Sequence, residues 1–489
     1  MNLPLSTLPW RVRLLGWANW AVWMLPLPVA VAGALLRAAS LGASAFWYDE
    51  AYSLYLTRFS PLELVRLAAR DFNPPLWELV AWPFVRIFGE TEIGLRLPAL
   101  LASLAALWLV WKLADLFGLL PVEKACAVAL AALLPYQFWL AQDGRTYALM
   151  SALYLAALWF AMRRHYLGLA GSLGLLIFAH STAVFYAASA LAVAALATRR
   201  GDWRKLALAA LAPMGAMALW APAYLHAGQK HHWLGNLTTG LFNGGLLRIF
   251  FADALPNDAW GWLALITILI SIGLAAYVSA RWLRDLHHRP LGVLALAAVG
   301  PLVLMIAAAL VKNVLFYRPM SALLAPLCLW FGAALPRWGS RVGTAVLGYT
   351  WAVLMVLGVL SWSPVARGGE LRDLARQMDC PQCPGVIVYH ATATSALPFS
   401  FYLRDQPHYL LDDSQAAGLL SDDLRDAFSL RRAPLESLPW TTAYVVWARD
   451  PLLSDQVDAR MAAYVRGGTL IGTVHYWQAA PIQVWEVMR

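Results

Sequence analysis

Trp47-Tyr48-Asp49-Glu50-Ala51-Tyr52 sets two adjacent carboxylates among aromatic rings. A carboxylate placed this way can take the proton of an attacking hydroxyl, or it can be plain interfacial polarity within a belt of aromatic side chains. Gln142-Asp143-Gly144-Arg145-Thr146-Tyr147 offers a further acid with a cation beside it, and Lys312 and Arg318 offer two more cations six residues apart. A guanidinium with an ammonium suits an anionic phosphate; the structural alternative is a snorkelling or ion-paired side chain. His180 reads first as a histidine at a helix end, with a part in catalysis as the alternative. Lys230-His231-His232-Trp233 resembles a metal site in composition, but no carboxylate or Cys stands in step with it, so no metal is expected.

These residues need elements to carry them, and composition says which kind. Of 489 residues, 61% are hydrophobic and only 13% charged. A soluble domain carries about 25% charged residues, so this chain lacks the polar surface to dissolve itself. The 25 Trp fit a membrane protein, because indole rings gather where lipid tails meet headgroups. The net charge of +9 sits in short turns between apolar runs, which fits the positive-inside pattern and excludes nucleic acid as the expected partner.

Arg11 and Arg13 precede an apolar run from Leu14 to Leu36, too long for a signal-peptide core and without a small-residue cleavage site. It is expected to be the first membrane helix. Further apolar runs cover Leu97–Leu116, Val122–Leu140, Tyr147–Met162, Leu167–Thr198, Leu206–Leu225, Trp260–Ala280, Leu291–Val311, Pro319–Leu335 and Val342–Trp362. The run Leu167–Thr198 is too long for one crossing and has basic clusters at both ends, so two helices turning near His180 are expected. The total is about eleven crossings. Asp49, Glu50, Gln142–Arg145, His180, Lys230 and Lys312–Arg318 then share the outer face. Lys230 and Lys312 are two of only five Lys in the chain and lie outside against the topogenic bias.

Between the first two spans, Ser60-Pro61-Leu62-Glu63 is a capping box with Pro at the first helical position, opening an amphipathic helix along the membrane surface. Asp71-Phe72-Asn73-Pro74-Pro75-Leu76 ends it. The fold class is therefore an all-α polytopic membrane domain, residues 1–365, followed by a small α/β domain outside, residues 366–489. Strands are expected at Gly385–Tyr389, Ala443–Trp447, Leu470–Val474 and Ile482–Val487, and helices at Glu370–Met378 and Gln415–Leu424. Cys126 and Cys328 fall in apolar runs as core residues. Cys380 and Cys383 are expected to form a local disulfide outside, a redox C-x-x-C or a zinc half-site with His390 or His408 being the alternatives.

Asp49-Glu50 after the first helix, Pro74-Pro75-Leu76, Arg96-Leu97-Pro98 opening the next helix and the outer turn Asp143-Gly144-Arg145-Thr146-Tyr147 together resemble the GT-C membrane glycosyltransferases. The pattern is nearest to the protein O-mannosyltransferase and lipid A aminoarabinose transferase group. The likeness spans roughly the first 200 residues, and more loosely Tyr317-Arg318-Pro319. Asn73 departs from it, since such proteins often have His or Lys before the Pro-Pro.

The resemblance implies transfer of a sugar from a polyprenyl (undecaprenyl) monophosphate carrier to a hydroxyl on a lipid, glycan or protein acceptor. It implies a bacterial inner membrane setting with the chemistry on the periplasmic side, and no cofactor. Asp49 maps onto the catalytic base, with Glu50 and Asp143 orienting it. Arg318, with Lys312 or Arg145, would neutralise the departing phosphate, and Tyr317, His180 and Lys230 complete the donor side. The rival class is a transporter or flippase of a lipid-linked sugar. Broken helices with polar groups at the bilayer midplane would mark it, whereas the polar residues here gather at one face.

Overall fold

The computed structural model describes residues 26–70, 73–227, 245–252, 254–255, 258–282, 289–362, 370–379, 383–413, 420, 422–448, 455–475 and 481–489. The start of the first expected span, the stretch around Lys230 and the 365/366 boundary lie outside these residues.

The described part of the first span is α1 (Pro26–Ala39). The polar stretch after it folds into three short helices, α2 (Tyr48–Leu56), α3 (Pro61–Ala68) and α4 (Leu76–Phe88). Half of the capping box is present: Ser60 Oγ accepts from the Glu63 amide at 3.4 Å, with Pro61 opening α3. Pro75 is the N-cap of α4, so the Pro-Pro pair starts a helix as well as closing a turn.

Next come α5 (Glu92–Leu116), α6 (Pro121–Leu133) and α7 (Pro135–Ala141). The run expected to be one helix from Val122 to Leu140 bends by 56° between α6 and α7. Pro135 donates no amide and crowds the preceding turn, so the helix breaks there. The carbonyls orphaned at the break are taken up by Arg37 of α1, which is wholly buried and donates to Ala131 O at 2.7 Å and Ala132 O at 2.8 Å. Gly33 makes room for that contact, since a Cβ there would fall 2.6 Å from Ala132 O.

The chain continues through α8 (Tyr147–Arg163), α9 (Tyr166–Ala179) and α10 (Ala183–Ala197), with the turn at His180 where the long apolar run was expected to break. Then follow α11 (Trp203–Ala227), an unforeseen short α12 (Gly245–Phe251), α13 (Asp258–Trp282) and α14 (Arg289–Ala309). A 3-10 segment, Pro319–Leu323, leads into α15 (Leu324–Ala334), and α16 (Arg341–Leu360) ends the bundle.

Among the described residues, six helices are long and apolar enough to cross a membrane, or seven with the bent pair α6–α7 as one span. Four further apolar helices, α1, α8, α9 and α10, are shorter. At 1.5 Å per residue the 17 residues of α8 reach only about 26 Å of a roughly 30 Å hydrocarbon layer. The chain is a multi-pass membrane protein.

The C-terminal part is a six-stranded sheet in the order β3-β2-β1-β4-β6-β5. Its strands are β1 (Val386–His390), β2 (His408–Leu410), β3 (Arg431–Arg432), β4 (Thr442–Ala448), β5 (Thr469–Val474) and β6 (Ile482–Met488). β1 runs parallel to β2 and β4, whereas β6 is antiparallel to β4 and β5. Its helices are α17 (Glu370–Met378), α18 (Ala393–Tyr402), α19 (Asp422–Ala427) and α20 (Asp455–Tyr464). Leu371, Leu374, Ala375 and Met378 form the buried stripe of α17 at helical spacing. The helix expected at Gln415–Leu424 is instead α19, and most of residues 414–421 lie outside the described set. Cys383 is disulfide-bonded, with a partner outside the described residues, and Cys126 and Cys328 are free thiols.

This domain rests on the start of the bundle through α18. The Tyr402 hydroxyl accepts from the Phe46 amide at 2.8 Å and donates to Glu92 Oε1 at 2.6 Å. Arg372 reaches the same carboxylate at 2.8 Å. One apolar core includes residues of both parts.

Candidate functional site

Asp49 and Glu50 stand in the first turn of α2, where the free amides of the helix end favour negative charge. Their side chains then part. Glu50 is wholly buried, and Arg96 of α5 grips both its oxygens, Nε to Oε1 at 2.7 Å and Nη2 to Oε2 at 2.6 Å. The Gly144 amide donates to Oε1 at 2.7 Å. Arg96 spends its other protons on the carbonyls of Leu41, Ser44 and Ala45. The pair pins four segments together: the link after α1, the first turn of α2, the head of α5 and the turn at 143–145. Gly144 has no space for a side chain, since a Cβ would lie 2.7 Å from Leu95.

Asp49 stays partly accessible. Its Oδ2 accepts from Arg318 Nη1 at 2.9 Å, with side-chain exposures of 23% and 18% respectively. Arg318 Nε donates to the Tyr317 hydroxyl at 2.9 Å, and its guanidinium lies 4.2 Å from the centre of the Trp47 ring. Nη2 of Arg318 meets no acceptor among the described residues. The Trp47 indole in turn donates to Asp143 Oδ1 at 2.9 Å. Asp49, Arg318, Trp47 and Asp143 thus form one continuous chain of contacts, from α2, the entry to the Pro319–Leu323 segment and the α7–α8 turn. Tyr186 of α10 steadies that entry by donating to Pro319 O at 2.6 Å.

Arg145 faces the other way along α2. It donates to Ser53 Oγ at 2.6 Å and to the Asp49 carbonyl at 3.2 Å, and it lies 3.5 Å from Glu78 of α4. Ser53 passes its own proton to Glu78 Oε1 at 2.8 Å. Both Arg145 and Glu78 are buried, so this cation is occupied in bracing α2 rather than standing open. His180 is buried beside Tyr147, ring centres 5.8 Å apart, and its Nδ1 accepts from the Thr182 amide at 3.2 Å. Burial, with the charge of Arg145 second, lowers its imidazole to about 3, so it is neutral here.

The structure therefore brings Asp49, Asp143, Arg145, Tyr317, Arg318 and His180 into one neighbourhood, and sets Glu50 directly beneath it. Lys312 is an exposed residue just beyond α14, and Lys230 lies outside the described residues.

No protein-family model and no curated protein matches the sequence. Solved structures do. ArnT from Cupriavidus metallidurans in the apo state superposes with a TM-score of 0.60 at 13% identity, covering 96% of this chain and 98% of ArnT. The same protein bound to undecaprenyl phosphate gives a TM-score of 0.55 at 16% identity, with 96% and 98% covered. The archaeal oligosaccharyltransferase AglB from Archaeoglobus fulgidus, in complex with an inhibitory peptide and a dolichol-phosphate, gives 0.50 at 11%, covering 90% of this chain and 71% of that one. The chain has the GT-C glycosyltransferase fold.

Within this GT-C fold, three residues of the neighbourhood escaped the reading of the sequence. Glu78 is a lone acid in the apolar run Leu76–Phe88, and its isolation there was the available signal. Ser53 had none. Arg248 of α12 places its guanidinium 5.9 Å from the Tyr317 ring centre. It sits in a seven-residue helix too short for periodicity to reveal.

Proposed function

We propose that the chain is a glycosyltransferase. It crosses a bacterial inner membrane about eleven times and moves a sugar from a polyprenyl (undecaprenyl) monophosphate carrier to a hydroxyl acceptor at the periplasmic face. The observation that carries this reading is the Asp49–Arg318 pair, a carboxylate and a guanidinium 2.9 Å apart, each still partly open. The fold shared with ArnT, one structure of which holds undecaprenyl phosphate, supports the donor class.

On this reading Asp49 accepts the proton of the acceptor hydroxyl as its oxygen attacks the anomeric carbon. The bond from that carbon to the phosphate oxygen breaks, and the electron pair leaves with the polyprenyl phosphate. One displacement inverts the anomeric centre. Charge grows on the departing phosphate, where Arg318 Nη2 is available to donate, with Lys312 as a second cation nearby in sequence. A monophosphate leaving group can be neutralised by guanidinium and ammonium groups, so the reaction needs no metal. Asp143 acts through Trp47, and Glu50 through the turn it pins, so both are positioning residues. Incubating the purified chain with synthetic polyprenyl-phosphate sugars and candidate acceptors, followed by mass spectrometry, tests this. A covalently glycosylated acceptor is expected, whereas relocation of intact donor across a bilayer without transfer would establish a flippase.

A further inference from the structure

At the end of α2 remote from Asp49, a cleft of 590 Å³ opens between the membrane part and the outer domain. Arg58 and Glu90 line one side, and Arg404, His408, Phe428 and Arg431 line the other. Glu90 braces two of the guanidinium groups, taking Arg58 through both its oxygens at 3.0 and 2.8 Å and Arg404 at 2.9 Å. Arg431 is exposed, so three arginines face one carboxylate and the cleft carries excess positive charge. Its floor is aromatic. Phe428 packs against Tyr55 at 5.3 Å and against Tyr52 at 5.7 Å between ring centres. Tyr55, which lines the cleft, belongs to the same helix as Asp49.

A further observation points to a ligand. Gln406 lines the same cleft, is 6% exposed, and commits its Nε2 to Met378 O at 2.7 Å. Its Oε1 is buried and meets no donor among the described residues. A buried amide oxygen left this way costs stability unless something donates to it. The donors of a sugar hydroxyl fit that oxygen, the aromatic floor suits the apolar face of a sugar ring, and forked guanidinium groups suit phosphate or carboxylate.

We propose that this cleft is the acceptor subsite and holds an anionic saccharide, its phosphate or carboxylate on Arg404 and Arg431 and its hydroxyls on Gln406. The proposal rests on the transferase reading and adds the acceptor's class. From Tyr55 back to Asp49 is six residues of helix, about 9 Å, which a short saccharide spans.

The test is binding to the full chain in detergent. The probes are a phosphorylated disaccharide, a uronate disaccharide, a neutral disaccharide and inorganic phosphate, measured on the wild type, Arg431→Glu, Arg404→Ala and Arg431→Lys. Binding of one or both charged disaccharides is expected, and which of them binds separates phosphate from carboxylate. Arg431→Glu and Arg404→Ala should weaken it about 10–150-fold, the loss typical of a charge-assisted contact, while Arg431→Lys falls between. Polyprenyl-phosphate affinity, measured in parallel, should stay at the wild-type value in Arg431→Glu and certify its folding. Equal binding by Arg431→Glu and wild type overturns the proposal. So does neutral disaccharide or free phosphate binding as tightly as the charged disaccharides, or no binding of any charged one. Charged disaccharides bound through these arginines by a chain that transfers no sugar would leave a saccharide site and remove the transferase reading alone.

Discussion

Arg318 Nη1 lies 2.9 Å from Asp49 Oδ2, although 269 residues separate the two in the chain. Neither side chain is sealed from its surroundings, and each has a second tie: Arg318 to Tyr317, and the Asp49 backbone carbonyl to Arg145. The pair sets an acceptor oxygen and a guanidinium side by side, with the cation already oriented for an anion.

Asp49→Asn removes the proton acceptor but keeps the shape and one oxygen for Arg318. Sugar transfer should fall about 10²–10⁴-fold, the usual contribution of a positioned general base. The thermal midpoint in detergent should change little, because the side chain is partly open. Turnover assays on protein checked by thermal unfolding measure both, and wild-type turnover would remove Asp49 as the base.

Glu50 should behave differently although it is the adjacent acid. Glu50→Gln leaves the Arg96 guanidinium buried without its counter-charge, and breaking such a pair costs about 3–5 kcal/mol. The expected outcome is a lowered thermal midpoint and poor yield, with activity lost in proportion to folded protein. A stable Glu50→Gln chain lacking activity would place Glu50 in the chemistry instead.

How far these roles could be read in advance depended on what fixes each residue's place. The shared face of Asp49, Asp143 and Arg318 was legible because apolar run lengths and the basic turns set which helix ends emerge together. The turn at His180 followed from the same reasoning. The division of labour between Asp49 and Glu50 was not legible. It depends on Arg96, 46 residues away, and on Gly144, which no local pattern links to Glu50. Arg145 looked like a free cation until the structure set Glu78 and Ser53 against it. In the outer domain the four longer strands showed as short β-like runs of branched and aromatic residues, whereas β2 and β3, three and two residues long, are too short to stand out.

A pH dependence should come from the outer domain. His390 Nε2 and His408 Nδ1 are 2.9 Å apart, and His408 Nε2 donates to the Leu403 carbonyl at 2.9 Å. Burial lowers His408 to about 4; burial, and then His408 itself, holds His390 well below the usual histidine value. Both are neutral in the fold, whereas in the unfolded chain they protonate near pH 6.5. The folded values lie below the unfolded ones, so the stabilisation is complete above about pH 6.5 and is lost as pH falls toward 4. Hydrogen exchange should show protection in β1, β2 and α18 declining through that window, with a shallower decline in His408→Gln. Protection that does not vary with pH would contradict this account.

Arg318 gives the sharpest test of donor binding. Its guanidinium is spread over the Trp47 ring, with Nη1 on Asp49 and Nε on Tyr317, which leaves Nη2 facing no acceptor among the described residues. A phosphate oxygen meeting Nη2 would gain a charge-assisted hydrogen bond of about 1.5–3 kcal/mol, or about 10–150-fold in affinity. Arg318→Ala should lose that much donor affinity and nearly all transfer. Arg318→Lys keeps the charge, but its ammonium cannot hold Asp49, Tyr317 and a phosphate in one plane, so partial activity is expected. Titrating a polyprenyl-phosphate sugar into the three proteins measures the difference directly. If Arg318→Ala binds it as tightly as wild type, the phosphate is held elsewhere, and Arg248 beside Tyr317 is the next cation to replace.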